Sequence, residues 1–207
     1  MKRNIKNVAV LGSGVMGSAI ACHFANVGLN VLLLDIVPKE AENSDSTKER
    51  NKIVDGALAK ALKSKPSPIY KKTFAKRIKT GNMTDDMSLI SSCDWIIEVV
   101  VERLDIKKIV FENVEKHRKK GTLITSNTSG IPINMMLEGR SEDFQEHFFG
   151  THFFNPPRYL KLLEIIPTPK TKKEDIEFMM EFGATILGKT TVFCKDTPAF
   201  IANRVGV

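Results

Sequence analysis

Short apolar runs alternate along this chain with segments in which apolar residues recur at helical spacing. The first run, NVAVLG, ends in glycine, and the helical pattern after it continues to Gly28, a residue suited to a helix C-cap. The second run, NVLLLDI, follows directly. Uninterrupted apolar runs of this length are typical of strands that are covered on both faces of a parallel sheet.

The alternation continues to the end of the chain. We predict one long amphipathic helix from Glu40 to about Lys63, which the prolines of KSKPSPIYKK bring to an end. Further strands are predicted at RIKTGN, CDWIIEVVV, GTLITS, HFFGTHFF, YLKLLEII and TTVFCKD, and a last helix opens in TPAFIANRVGV, with Pro198 near its first turn. The pattern predicts an α/β fold of the Rossmann type, with a doubly wound, mostly parallel sheet and a long helical insertion after the second strand.

The composition is that of an ordinary globular protein. The 207 residues suit one domain or slightly more, and 42% of them are hydrophobic and 27% charged. The net charge of +7 is spread along the chain without a nucleic-acid-binding motif, so we expect no nucleic-acid partner. Three cysteines without a C-x-x-C pair indicate neither a disulfide framework nor a metal site, and they fit a cytoplasmic setting. No apolar run approaches the roughly 20 residues that cross a membrane.

A glycine-rich segment, GSGVMG, fits the pattern G-x-G-x-x-G directly after a strand and at the start of a helix. The first glycine makes a tight turn, the second lets the backbone approach a pyrophosphate, and the third lets helix and strand pack closely. The pyrophosphate would rest on the positive end of the helix. We therefore predict a dinucleotide site formed by Gly12, Gly14, Val15, Met16 and Gly17.

Asp35 indicates which dinucleotide binds. It ends the second strand about 20 residues after the glycines, where a carboxylate binds both ribose hydroxyls of NAD and repels the 2′-phosphate of NADP. The alternative is a turn residue at the end of a strand. With the glycines in register, NAD is the favoured interpretation.

Four polar residues in the second half of the chain are candidates for catalysis, namely Ser129, His152, Glu164 and Asn203. A dehydrogenase that oxidises an alcohol needs a base for the hydroxyl proton, and histidine suits that task near neutral pH. By itself, a histidine among phenylalanines is more often a core residue. Glu164 favours catalysis, because a carboxylate in the apolar strand LKLLEII is costly unless it is paired, and His152 is the nearest candidate in sequence. Alternatively, Glu164 faces solvent from an edge strand.

The other three histidines are weaker candidates. His23 lies on the first helix and is expected to be structural. His117 ends a helix among lysines, where the helix dipole favours a cation. His147 precedes a strand without any second signal.

Six segments, LGSGVMG, WIIEVVVERLDIKK, SNTSG, THFFNPP, KLLEII and CKDTPAFIANR, together resemble the NAD-binding domain of the 3-hydroxyacyl-CoA dehydrogenases over essentially the whole chain. The chain is most similar to the long bacterial proteins of fatty-acid β-oxidation, in which this dehydrogenase is fused to an enoyl-CoA hydratase module. The resemblance implies oxidation of (3S)-3-hydroxyacyl-CoA by NAD to give 3-oxoacyl-CoA and NADH.

The resemblance also implies roles for individual residues. His152 is the base, Glu164 is its partner, and Ser129 and Asn203 contact the C3 oxygen of the substrate. Near the nicotinamide end of NAD it places Glu102, Lys107, Asn127 and Asn155. In the lysine-rich segment after the long helix, Lys63 and Lys65 are candidates for the adenosine phosphate of CoA, although a solvated surface explains these lysines equally well.

The resemblance divides the chain at residue 194. Residues 1–194 are expected to form the NAD-binding domain, and residues 195–207 to begin a helical C-terminal domain that the family carries next. Phe200, Ile201, Val205 and Val207 would pack onto that domain. The chain is therefore expected to be a fragment that binds NAD with little or no turnover, and Asn203 is expected to fray.

The residues allow three other interpretations. A hydrolase could use Ser129, His152 and Glu164 as a triad, but no G-x-S-x-G elbow surrounds Ser129 and a hydrolase has no use for the cofactor site. An NAD-binding module without catalysis would not need His152 and Glu164. The related β-hydroxyacid dehydrogenases use a lysine, by the same family comparison, whereas this chain has the segment HFFNP.

Overall fold

A computed structural model describes residues 3–205, and Val207 of the predicted C-terminal segment therefore lies outside the described residues. The chain forms an eight-stranded sheet with helices on both faces. The strands are β1 (Asn7–Leu11), β2 (Asn30–Asp35), β3 (Ile78–Asn82), β4 (Trp95–Glu98), β5 (Leu123–Ser126), β6 (Phe148–Phe153), β7 (Leu162–Pro167) and β8 (Thr190–Phe193). The α-helices are α1 (Val15–Asn26), α2 (Thr47–Arg50), α3 (Lys52–Lys63), α4 (Leu104–His117), α5 (Glu142–Glu146), α6 (Lys173–Thr185) and α7 (Ala202–Val205).

The strand order is β3-β2-β1-β4-β5-β6-β7-β8, and every neighbouring pair is parallel except β6 and β7. The order reverses between β1 and β4, which is the switch point of a doubly wound sheet. The predicted α/β fold with a mostly parallel sheet is therefore confirmed. None of the helices among residues 3–205 is long and apolar enough to cross a membrane.

Hydrophobic residues fill two layers, one on each face of the sheet. Val8 and Val10 of β1 belong to one cluster, and Ala9 and Leu11 belong to the other. Successive side chains of a strand point to opposite faces, so a central strand must be apolar throughout to fill both layers. This requirement explains the uninterrupted apolar runs of the sequence.

The predicted single helix from Glu40 to Lys63 is wrong. The segment instead holds the short α2 and the longer α3, which meet at Asn51. Ser46 caps α2 by accepting a hydrogen bond from the Glu49 amide at 3.3 Å, and the Asn51 side chain accepts a hydrogen bond from Asn82 at 2.8 Å. Local capping and a long-range polar contact therefore override the helical periodicity.

The last helix also begins later than predicted. Ala199 and Phe200 have φ values of 62° and 49°, in the left-handed region, so the chain cannot be helical directly after Pro198. α7 starts only at Ala202. The intervening residues turn the chain back over the carboxyl end of the sheet.

Candidate functional site

The carboxyl ends of β1, β4, β5 and β6 lie along one edge of the sheet, and most of the predicted site residues gather there. The glycine turn follows β1, Glu102 follows β4, Ser129 follows β5, and His152 lies near the end of β6. Ligands of doubly wound sheets bind outside this edge. The topology therefore brings residues from distant parts of the chain into one region.

Two of the three glycines are required by the packing of the chain itself. Gly12 has φ +110°, and a Cβ there would lie 2.5 Å from the carbonyl oxygen of Val99. A Cβ on Gly17 would lie 1.9 Å from the carbonyl oxygen of Gly12. A Cβ on Gly14, by contrast, would meet no atom within 4 Å. Gly14 thus leaves open space at the start of α1, as the close approach of a pyrophosphate requires.

The start of α1 is suited to an anion. Its N-cap residue, Gly14, has no side chain that could cap the helix, and the first turn contains no acidic residue. The amides of Val15 and Met16 therefore present the positive end of the helix dipole without a carboxylate of the same turn to neutralise it. This donor set fits the phosphates of a dinucleotide.

Asp35 lies at the end of β2, beside the glycine turn. Its Oδ2 accepts a hydrogen bond from the Ser13 amide at 2.8 Å and a second one from the Ser13 hydroxyl. Its Oδ1 accepts a hydrogen bond from the Ile36 amide at 2.7 Å. The carboxylate therefore fixes the glycine turn to β2, and its contact with a ribose stays a prediction.

A buried ion network lies beyond the ends of β4 and β5. Lys107 is 1% exposed, and its Nζ lies 2.8 Å from Glu98 Oε2 and 3.2 Å from Glu102 Oε2. Burial raises the pKa of Glu98, while the Lys107 ammonium opposes that rise. Because Nζ already has two carboxylate partners, the expected contact of Lys107 with the nicotinamide end stays a prediction. Sequence reasoning missed Glu98, although a carboxylate inside an apolar run is the same signal that singled out Glu164.

Glu102 shapes the turn that carries Ser129. Its Oε1 accepts hydrogen bonds from the amides of Ser129 and Gly130, both at 3.1 Å, and from the Ile131 amide at 3.3 Å. The Thr128 hydroxyl donates to the same oxygen. Burial would raise the pKa of Glu102, but these donors and Lys107 hold it below its usual value. Glu102 is therefore an anion that organises the turn.

His152 and Glu164 face each other across the antiparallel pair β6 and β7. His152 Nδ1 lies 2.9 Å from Glu164 Oε1, and the two residues are 5% and 0% exposed. The predicted pairing is confirmed, and the alternative in which Glu164 faces solvent from an edge strand is wrong, because β8 covers β7. In the neutral ring, Nδ1–H donates to the carboxylate and Nε2 keeps a lone pair.

The second nitrogen of His152 is free for a substrate. Nε2 has no hydrogen-bond partner within residues 3–205. The ring lies between two phenylalanines, with centroids 4.4 Å from Phe154 and 5.8 Å from Phe200. The two aromatic rings hold the imidazole in place, which suits a base whose proton comes from a bound ligand.

The other carboxylate oxygen of Glu164 binds the C-terminal segment. Oε2 accepts hydrogen bonds from the Cys194 thiol at 3.1 Å, the Ile201 amide at 2.9 Å and the Ala202 amide at 3.4 Å. Burial would raise the pKa of Glu164, but the Ile201 amide, the Cys194 thiol and His152 hold it below its usual value. Sequence reasoning missed Cys194, because its chemistry depends on a strand that lies far away in sequence.

Asn203 lies beside Ser129. Its Nδ2 donates a hydrogen bond to the Ser129 carbonyl oxygen at 3.3 Å, a contact that opposes fraying. The expected fraying of Asn203 stays a prediction. Asp196 anchors the same segment by accepting hydrogen bonds from the amides of Ile133 and Asn134 at 2.8 and 2.9 Å. Within residues 3–205 no hydrogen bond joins Ser129 to His152, so the geometry gives no support to a hydrolase triad.

The two asparagines predicted near the cofactor are placed differently. Asn127 Oδ1 accepts a hydrogen bond from the Phe153 amide at 2.8 Å, which ties the end of β5 to the end of β6. Asn155 lines a cleft of about 520 Å³ together with Gly14 and Val15. Only Asn155 therefore shares an open space with the glycine turn.

The two lysines predicted for the CoA phosphate differ in whether they line this cleft. Lys65 lines it, as does Lys60, which sequence reasoning missed, whereas Lys63 lies outside it. Arg158 forms part of the wall and donates hydrogen bonds to the carbonyl oxygens of Ser67 and Ile69 at 2.8 and 3.1 Å. Lys65 and Lys60 are thus better placed than Lys63 for a ligand phosphate in the cleft.

Two of the remaining histidines, His23 and His147, are buried away from the carboxyl edge of the sheet. His23 is buried, and its Nε2 lies 2.9 Å from the Leu187 carbonyl oxygen, so it packs in the core as expected. His147 lies at the opposite end of β6, where its donor atoms cluster with those of Asp143 and Glu146. The Arg118 guanidinium group binds Asp143 there at 2.8 Å and so balances the negative charge of this carboxylate.

Comparison with known proteins shows the family of the chain. The sequence model of the family described as "3-hydroxyacyl-CoA dehydrogenase, NAD binding domain" matches residues 7–197. The "Probable 3-hydroxyacyl-CoA dehydrogenase" of Bacillus subtilis is 53% identical over 214 residues, which cover 100% of this chain and 27% of that protein. The "Putative fatty acid oxidation complex trifunctional enzyme" of Rickettsia felis is 44% identical over 206 residues, which cover 100% of this chain and 28% of that protein. The chain therefore spans about a quarter of the length of these relatives.

Among solved structures, the 3-hydroxybutyryl-CoA dehydrogenase of Escherichia coli K12 resembles this chain with a TM-score of 0.76 and 32% identity. The match covers 98% of this chain and 41% of that one. The likeness therefore covers nearly the whole of this chain and less than half of that one.

Proposed function

The chain belongs to the 3-hydroxyacyl-CoA dehydrogenase family through its NAD-binding domain, and on this premise we propose that it is the cofactor-binding and proton-transferring part of an NAD-dependent (3S)-3-hydroxyacyl-CoA dehydrogenase. The product would be 3-oxoacyl-CoA, formed in fatty-acid β-oxidation. The observation that carries the proposal is the buried His152–Glu164 pair with a free Nε2.

His152 performs the proton transfer in this proposal. NAD, when bound, supplies the acceptor for the hydride that leaves C3 of the substrate. Nε2 of His152 takes the proton of the C3 hydroxyl, because Nδ1 is already committed to Glu164. The Glu164 carboxylate then stabilises the imidazolium, since its low pKa keeps it anionic at neutral pH. General base catalysis of this kind contributes roughly 10²–10⁴ to a rate.

Ser129 and Asn203 complete the site in the proposal. They meet at the carboxyl edge, and Glu102 and Glu164 each fix one of the two segments that carry them. Donors held in place before the reaction stabilise negative charge that develops on the C3 oxygen. Lys60 and Lys65 are the lysines that we propose for the CoA phosphate.

The whole enzyme would be larger than this chain. We propose a helical domain after residue 207 that closes the substrate cleft, and an enoyl-CoA hydratase module elsewhere in the full-length protein. The trifunctional relative, of which this chain covers 28%, has room for both. A cytoplasmic setting belongs to the same proposal, because Cys22, Cys93 and Cys194 are buried and unpaired.

The cofactor part of the proposal is tested by NADH binding. Energy transfer from Trp95, the single tryptophan, to NADH reports binding, and NADPH should bind at least tenfold more weakly because Asp35 repels its 2′-phosphate. Gly14→Val fills the open space at α1 and should weaken NADH binding at least tenfold. Gly56→Val is the matched control, since a Cβ on Gly56 also meets no atom within 4 Å but lies outside the cleft. Equal binding by both variants would contradict the placement.

The catalytic part is tested with acetoacetyl-CoA and NADH, by following the loss of NADH absorbance. Turnover that His152→Ala abolishes, with NADH binding retained, is the expected result for the catalytic role. Binding without turnover in the unaltered chain would assign to it the cofactor function alone. Turnover that survives in His152→Ala would overturn the role of His152.

A further inference from the structure

Glu164 uses its two carboxylate oxygens for different partners. Oε1 lies 2.9 Å from His152 Nδ1, whereas Oε2 is 3.1 Å from Cys194 Sγ and 2.9 Å from the Ile201 amide nitrogen. A carboxylate that is held at one oxygen only can rotate about its last side-chain torsion, which is soft. Whatever fixes Oε2 therefore also decides where Oε1 points.

We propose that Cys194 is a positioning residue for the His152–Glu164 pair, in which its S–H group donates to Glu164 Oε2 and orients the carboxylate towards the imidazole. The inference rests on the proposed function, because the pair matters only if His152 transfers a proton. The thiol touches neither His152 nor a substrate in this arrangement, and it acts through Glu164 alone.

The sheet places the thiol where a donor is needed. Cys194 follows β8, and its amide donates to the Ile165 carbonyl oxygen at 2.9 Å, which fixes the backbone beside β7. The residue is 1% exposed. Water therefore has little access to Oε2 from this side, and a carboxylate oxygen buried in this way needs donors from the protein.

The thiol keeps its proton under working conditions. Burial, and next the Glu164 carboxylate, raise the pKa of Cys194 to about 12. An S–H group at this position is consequently a donor throughout the neutral range. The titratable groups that contact Glu164 within residues 3–205 are His152 on β6 and Cys194 after β8.

The other two cysteines lack this contact. Cys22 and Cys93 are also buried, but the described hydrogen bonds give neither a carboxylate partner, and Cys93 Sγ lies 4.0 Å from the Leu89 carbonyl oxygen. Burial of a thiol is thus common to all three positions, and the bond to a carboxylate belongs to Cys194. Cys93 provides a matched control.

Two substitutions of Cys194 distinguish a side chain that donates a hydrogen bond from one that only fills space. Cys194→Ser keeps a donor and loses the sulfur, whereas Cys194→Val keeps the volume approximately and loses the donor. If the S–H bond positions Glu164, Ser preserves the properties of the pair and Val does not. If Cys194 only packs, Val preserves them and Ser, a polar group in an apolar site, does not.

The decisive measurement is the pKa of Glu164 in the full 207-residue chain, followed by NMR of isotope-labelled glutamate carboxyls. The Glu164 resonance is the one lost in Glu164→Gln. Because the S–H group stabilises the anion, Cys194→Val should raise this pKa by roughly 0.5–1 unit, and Cys194→Ser should not. Cys194→Ala, which lacks the donor without adding volume, repeats the test should Val not fold. Cys93→Val and Cys93→Ser should leave the Glu164 pKa unchanged.

An unchanged Glu164 pKa in both Cys194→Val and Cys194→Ala would overturn the proposal, as would an equal rise in Cys194→Ser. In the turnover assay, Cys194→Val should lower kcat roughly fivefold to tenfold with little change in KM. The titration needs no turnover, so it decides the positioning role by itself. Survival of activity in His152→Ala would instead remove the proposed function and leave the titration result in place.

Discussion

Two buried histidines at opposite ends of β6 make nearly the same bond to a carboxylate. His152 Nδ1 lies 2.9 Å from Glu164, and His147 Nδ1 lies 2.6 Å from Asp175. Both histidines are 5% exposed. By burial and by this one contact, the two pairs are indistinguishable.

They differ at the second ring nitrogen and in the surrounding charge. His147 Nε2 lies 3.5 Å from Asp143 Oδ1, so both of its nitrogens face carboxylates. Arg3 binds Asp175 at 2.9 Å and Arg118 binds Asp143 at 2.8 Å, which gives the cluster its own cations. His152 has one carboxylate, two aromatic neighbours and a free Nε2.

The difference shows what makes a buried histidine a base. A histidine held at both nitrogens joins elements of the fold, whereas one held at Nδ1 alone keeps a lone pair for a ligand. Location adds to this, because the free nitrogen lies at the carboxyl edge, where ligands bind, and the held one at the amino edge. If His152 serves catalysis and His147 serves stability, substitutions in the two pairs should have different effects.

The largest expected effect comes from removing each histidine in turn. His152→Ala should lower turnover roughly 10²–10⁴-fold, because the base is lost. It should cost less stability than His147→Ala, because the Cys194 thiol and the Ile201 amide still donate hydrogen bonds to Glu164. His147→Ala should leave NADH binding intact and lower the free energy of unfolding by about 1–3 kcal/mol, because the buried Asp175 and the partly buried Asp143 lose a partner. Activity assays and urea titrations on both variants measure the two effects. A loss of stability alone in His152→Ala would erase the distinction.

Replacing the carboxylate partners, Asp175 and Glu164, should again affect stability in one pair and catalysis in the other. The difference between the two pairs should be smaller than for the histidines. Asp175→Ala leaves Arg3 without its buried partner and should destabilise the chain by about 3 kcal/mol while NADH binding survives. Glu164→Gln keeps the shape of the side chain and should reduce kcat more than stability, because the amide cannot stabilise an imidazolium as an anion does. Thermal unfolding and kcat, measured side by side, would show any reversal of this order.

Both clusters should weaken in acid. The Gly121 amide and Arg118 hold the pKa of Asp143 below its usual value despite burial, and the pKa of Glu164 is also lowered. Depressed carboxyl pKa values add stability that is present above the unfolded values of about 3.9–4.3 and is lost as the pH falls through the folded values. Urea unfolding from about pH 7 to about pH 3 should therefore show falling stability below about pH 4. Asp143→Asn and Glu164→Gln should each flatten this fall, and a steep fall in both variants would contradict the assignment.

The smallest expected effect concerns the C-terminal segment from Ala199 to Ala202, which contacts Glu164. Ala199 has φ +62°, which glycine adopts without strain, so Ala199→Gly should stabilise the docked segment by about 0.5–1 kcal/mol. Hydrogen exchange of the Ile201 amide, which donates to Glu164, reports docking directly. Ala202→Gly is the control with the opposite sign, because it places glycine in α7. Faster exchange in Ala199→Gly would contradict the strain at this residue.

Sequence reasoning reached far into the site where partners lie on neighbouring strands. His152 and Glu164 lie on two antiparallel strands that follow each other in the chain. Their apolar setting and their nearness in sequence are therefore enough to pair them. It did not reach Cys194 or the His147 cluster, because their partners come from distant elements. It also overextended the helix after β2, where Ser46 and Asn51 decide the boundaries through local and long-range hydrogen bonds.

By itself, the sequence determined the alternation of strand and helix, the mostly parallel sheet, the glycine turn at α1 and the identity of the base candidate. These follow from periodicity and backbone sterics, which act over a few residues and leave a pattern in the chain. Only the tertiary structure decided that His152 keeps a free nitrogen while His147 does not, and that the Cys194 thiol and the Ile201 amide share one oxygen of Glu164. Such contacts depend on the order of strands in the sheet and on the path of the C-terminal segment, and a buried polar group records in sequence only that it needs a partner, not which one it has.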